Sequence, residues 1–82
     1  MENEFLASNP KLVELVADYL KDNDKIGPAI FQRKLRIGYV TASALINALI
    51  KIDVVKEVTI DGVSQWWLIR ENLAMLDAYI GK

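Results

Sequence analysis

Apolar positions recur at helical spacing through the first 50 residues, shift to strand spacing, and return to helical spacing at the end. Leu12, Leu15, Val16, Tyr19 and Leu20 fall on one side of a helix, with Lys11, Glu14, Asp18 and Lys21 facing away. Asn9 supplies an N-cap and Pro10 a first helical residue. The turn-rich cluster Lys21-Asp22-Asn23-Asp24 ends that helix. Ile26-Gly27-Pro28 is too short to be helical and reads as a brief extended segment. Pro28 starts a second helix with Ile30, Phe31 and Leu35 as its apolar side. Gly38 is expected to be the left-handed residue that closes it, since glycine adopts that conformation without steric cost. A third helix is expected from about Tyr39 to Lys51, with Ala42, Leu45, Ile46 and Leu49 turned inward.

From Asp53 to Ile69 the period changes. Val54, Val55, Val58, Thr59 and Ile60 lead to Asp61-Gly62, and Val63, Trp66, Trp67, Leu68 and Ile69 follow. Asp-Gly between two such runs predicts a β-hairpin with a two-residue turn. A last helix is expected over 71–80, with Leu73, Leu76 and Ile80 on one side. Residues 1–8 read as a flexible acidic arm, and 9–82 as a single domain. The predicted fold is mostly α with a small β-hairpin, in the order α-β-α-α-β-β-α. That is the order of a winged helix-turn-helix, with the hairpin as wing and the third helix as the one offered to DNA.

Composition removes several kinds of chemistry. The 82 residues contain neither cysteine nor histidine. Disulfides, thiolate metal sites, the commonest general base and the usual metal ligand are therefore lacking together. No nucleophile, metal or phosphate-loop pattern is present, so a non-catalytic protein without a cofactor is expected. Met1-Glu2-Asn3-Glu4-Phe5 has no basic-then-apolar leader pattern. The longest uncharged run, Ile37 to Ile50, is short of the ~20 residues of a membrane span. A cytoplasmic location is the expectation.

The net charge of −1 hides a polarised chain. Residues 1–24 set Lys11 and Lys21 against six carboxylates, a net of −4. Residues 25–56 set six cations against Asp53 alone, a net of +5. Residues 57–82 set two cations against four carboxylates, a net of −2. The positive third coincides with the helix-turn-helix, where a polyanion can meet it on one face.

Ile30-Phe31-Gln32-Arg33-Lys34-Leu35-Arg36-Ile37-Gly38-Tyr39, followed by Ala42 and Leu45-Ile46, resembles the gamma domain of FtsK-type DNA translocases. The pattern there is close to Leu-Leu-Gln-Arg-Arg-Phe-Arg-Ile-Gly-Tyr, then Asn-Arg-Ala-Ala-Arg-Leu-Ile. The resemblance covers roughly residues 26–55 and implies a small winged helix that meets chromosomal DNA. Val40, Thr41 and Ala44 stand where that family has Asn, Arg and Arg, so its sequence readout is not carried over.

The candidate DNA contacts are Lys25, Arg33, Lys34, Arg36, Lys51 and Lys56 for phosphates, with Thr41, Ser43 and Asn47 for base edges or phosphates. The positions expected to face outward on this helix are Val40, Thr41, Ser43 or Ala44, Asn47 and Ala48. Tyr39 either places its hydroxyl on a phosphate or closes the turn as a core residue. Trp66 and Trp67, adjacent in a strand, must point to opposite faces. One enters the core, and the other needs cover from Leu73, Leu76 and Ile80 of the last helix, within the chain or in a homodimer. The expected function is that of a small transcriptional or replication-associated factor contacting double-stranded DNA. The alternative is a protein-interaction or dimerisation module whose smooth third helix meets a protein partner.

Overall fold

A computed structural model describes residues 3–80. In chain order its elements are α1 (Glu4–Ser8), α2 (Pro10–Asp22), α3 (Pro28–Leu35), α4 (Tyr39–Lys51), β1 (Val55–Ile60), β2 (Val63–Leu68) and a 3₁₀ helix (Arg70–Tyr79). The chain is mostly helical with one two-stranded antiparallel hairpin.

Within the stretch expected as a flexible arm, Glu4–Ser8 form α1 with Asn3 as N-cap; Met1 and Glu2 lie outside the described residues. The Asn3 side chain caps α1 by accepting from the Leu6 N–H at 3.1 Å. Leu6 is fully buried in the core. A five-residue helix is too short to persist alone, so tertiary contacts hold this one. It packs on α2 and α4, and the Asn3 N–H donates to the Tyr79 hydroxyl at 3.0 Å. Asn9 occupies the N-cap position of α2 as expected, but its amide donates backward to the Phe5 carbonyl at 2.7 Å.

Helix α4 buries the stripe Ala42, Leu45, Ile46 and Leu49 that its spacing predicts, and α3 buries Phe31 and Leu35 with Ile30 half-buried. On α2 the buried face is rotated from the expected one: Val13, Val16, Ala17 and Leu20 are buried, Leu12 and Tyr19 are half-buried, and Leu15, expected inward, is exposed. Val13, Val16, Leu20, Phe31, Leu45 and Leu49 are fully buried, together with Val54, Val55 and Leu76. Tyr19 meets Phe31 edge to face at 6.0 Å and closes the base of α2 by donating its hydroxyl to the Lys25 carbonyl at 2.8 Å. Gly38 is not left-handed: its φ is −75°, and it serves as N-cap of α4. Arg36, two residues earlier, takes the left-handed conformation at φ 55° and ends α3 by donating its N–H to the Gln32 carbonyl.

The hairpin turns at Asp61-Gly62, whose φ values of 51° and 78° match the paired positive angles of a type I′ turn. Ile26 makes a single bridge to Trp66, so the short extended segment before α3 touches β2 without becoming a strand. The last element departs from the expected α-helix. At three residues per turn, Leu73, Leu76 and Tyr79 line up in one row, and this element packs on α2. Arg70, at its start, donates to the carbonyls of Leu20 and Lys21 at 3.3 and 3.4 Å, satisfying the otherwise open end of α2.

Candidate nucleic-acid interface

Arg33 and Lys34 stand in the last turn of α3, where a cation favourably faces the negative end of the helix dipole. Arg36 follows at the turn, and all three are exposed. The one ion pair among the described residues joins Lys21 to Asp18 at 3.4 Å, both exposed. Lys25, Arg33, Lys34, Arg36, Lys51 and Lys56 are thus all exposed and have no carboxylate partner among the described residues.

The six do not form one cluster. Arg33, Lys34 and Arg36 stay together around the α3–α4 turn. Lys51 lies at the far end of α4, about 18 Å from its start at a rise of ~1.5 Å per residue. Lys25 lies beside Trp66 and Trp67 at the edge of the hairpin. Lys56 pairs with Trp67 on the hairpin face away from Val55 and the core.

Helix α4 begins at the exposed residues Gly38, Tyr39 and Val40, the last 81 % exposed. Its first turn has neither a side-chain cap nor an acidic residue. The N–H groups of that turn are therefore open to an anion. Tyr39 is well exposed, which removes its reading as a core residue. Thr41 and Ser43 are half-buried, and Asn47 is exposed. Ala48 was expected outward but is buried, because α1 crosses α4 there and Asn3, Glu4 and Phe5 share a groove with Ala44, Asn47 and Lys51. The small residues of α4 are thus accounted for, in large part, by the chain's own first helix.

Two carboxylates that the charge pattern did not single out flank this surface. Glu4 stands on the α1 side. Glu57 stands on the hairpin side, in a groove with Pro28, Tyr39, Ser43, Asn47 and Trp66. Period-two alternation from buried Val55 places Glu57 on the inner face of β1, so this position was legible.

The surface expected for a partner is different as well. Trp66 is half-buried, and a Cβ at Gly27 would lie 3.8 Å from its ring. Leu76 has no exposed surface, and Leu73 and Ile80 pack half-buried against the core. Leu76 is thus unavailable to a second subunit, and the last helix packs on α2. Trp67 is the uncovered one, 54 % exposed.

Burial raises the Tyr19 phenol, with the Asp24 carboxylate adding in the same direction, since both disfavour phenolate. Among the described residues no helix is long and apolar enough to cross a membrane. Comparison with protein-family models, curated proteins and solved structures finds no match to this chain.

Proposed function

We propose that this protein is a small winged-helix protein that binds double-stranded DNA without catalysis, through the start of α4 and the cations of the α3–α4 turn. The observation that carries the reading is the group Arg33, Lys34 and Arg36, exposed and without an ion-pair partner among the described residues, beside the uncapped first turn of α4. Guanidinium and ammonium groups with open backbone N–H donors suit phosphate oxygens. The resemblance to the FtsK gamma domain over residues 26–55 points the same way.

Base reading is sparse in this proposal. Asn47 is the one amide side chain on α4, and Val40 is apolar, so affinity comes mainly from phosphates. Glu4 and Glu57 repel phosphates along the flanks of α4 and favour approach at its N-terminal end.

A second reading rests on a separate observation. Pro10, Leu12, Leu15, Ile37 and Thr41 line an open groove between α2 and the turn, and Leu15 is 51 % exposed. Such a surface also suits a protein partner.

Fluorescence anisotropy with a random duplex tests the choice. Three phosphate contacts imply that affinity falls roughly 40-fold between 50 and 200 mM salt. Arg33→Glu with Lys34→Glu abolishes that binding, and Leu15→Gln, which adds no charge beside Arg36, leaves it unchanged. Absence of any salt-sensitive duplex binding overturns the DNA reading and selects the protein partner.

A further inference from the structure

The outer face of the hairpin is a largely apolar surface that the described residues leave open at Ile60, Val63 and Trp67, with Val58 half-buried and Gln65 exposed among them. Register and alternation define it: Lys56 pairs with Trp67, Val58 with Gln65, and Ile60 with Val63, and these pairs share the face opposite buried Val55. Ile60 is 45 %, Val63 60 % and Trp67 54 % exposed. The other face is turned to the core and to α4 through Leu68 and Trp66.

We propose that this face associates with the same face of a second copy of the chain, the two hairpins lying antiparallel about a two-fold axis. The arrangement of charge selects that occupant. Lys56 stands at the base of the hairpin and Asp61 at its tip, with the apolar residues between them. Laid antiparallel, each Lys56 comes over the partner's Asp61, and this happens twice because a two-fold contact is self-complementary. Laid base to base, lysine meets lysine. Sheet faces pack about 10 Å apart, so Trp67 of each copy fits against the aliphatic side chains of the other. The face is about 20 Å long at ~3.4 Å per residue. Two such faces bury less than the ~1,200 Å² at which stable complexes begin. A weak, reversible dimer follows. It leaves α4 of both copies on the outside and so does not depend on the DNA reading.

Sedimentation velocity of the full chain from about 5 to about 500 µM tests it, a range that spans weak association. The expected result is a monomer that shifts to a dimer across that range. Val63→Lys and Trp67→Lys, at exposed positions that folding does not need, each hold the chain monomeric with an unchanged circular dichroism spectrum. Lys56→Glu weakens the dimer several-fold, and so does Asp61→Asn, which keeps a residue suited to a positive φ. A monomer throughout the range overturns the proposal, and so does a dimer that Val63→Lys and Trp67→Lys leave intact.

Discussion

At φ 55° Arg36 holds a conformation that costs a residue with a Cβ about 1 kcal/mol or more. The sequence places glycine two residues later, where it is not used for that purpose, since Gly38 is extended. An arginine retained at such a position fits a role outside folding. Arg36→Gly is therefore expected to leave stability unchanged or raise it by up to about 1 kcal/mol in urea denaturation. The same change makes the salt dependence of duplex binding shallower by about one unit of slope. Lower stability would show that the arginine serves the fold instead. Tyr19 supplies a residue-scale prediction of another kind. Its phenol is raised, so the folded state prefers the protonated form. The associated stability is present below the unfolded pKa of about 10 and is lost as pH rises through the folded value. Tyr19→Phe removes that part of the alkaline loss. At neutral pH it costs about 1 kcal/mol, through the missing hydrogen bond to the Lys25 carbonyl. Urea midpoints at neutral and alkaline pH check both.

Helices α2 and α3 and the Asp61-Gly62 turn were legible because each carries a local signal, Pro10, Pro28 or an Asp-Gly pair between β-rich runs, while α4 was legible from the period of Ala42, Leu45, Ile46 and Leu49. Helix α1 was not legible. Glu4-Phe5-Leu6-Ala7-Ser8 is too short for a period to emerge, and its stability comes from contacts distant in sequence. The final segment was placed correctly, yet the change from 3.6 to 3.0 residues per turn rests on where Leu73, Leu76 and Tyr79 meet the core. Site residues were legible as types and less so as exposures. Burial of Ala48 and Leu76 followed from elements whose packing the pattern does not encode. If α1 is an integral element, Leu6→Ala leaves a cavity worth about 3 kcal/mol. For a domain of this size that lowers the thermal midpoint by more than ~10 °C. A midpoint within a degree or two of the parent chain, measured by circular dichroism, would return α1 to the status of a loose arm.

Across the whole molecule, the polarised charge of the sequence resolves into a cationic turn with carboxylates on both flanks of α4. Electrostatics then concentrates attraction at one end of the helix and opposes contact along its middle. Glu57→Gln removes one repulsive charge from the hairpin-side groove. Affinity for any duplex is expected to rise about 2- to 5-fold, as one exposed charge at short range is worth up to ~1 kcal/mol. Unchanged or weaker binding in anisotropy would place the DNA elsewhere. The most direct test of the DNA reading follows the backbone amides of the labelled protein by ¹⁵N NMR while a short duplex is added at low salt. Shifts grouped over Arg33 to Asn47 are expected, with the Val63 and Trp67 amides unmoved. Shifts centred on the hairpin's outer face, or none anywhere, would contradict the DNA reading.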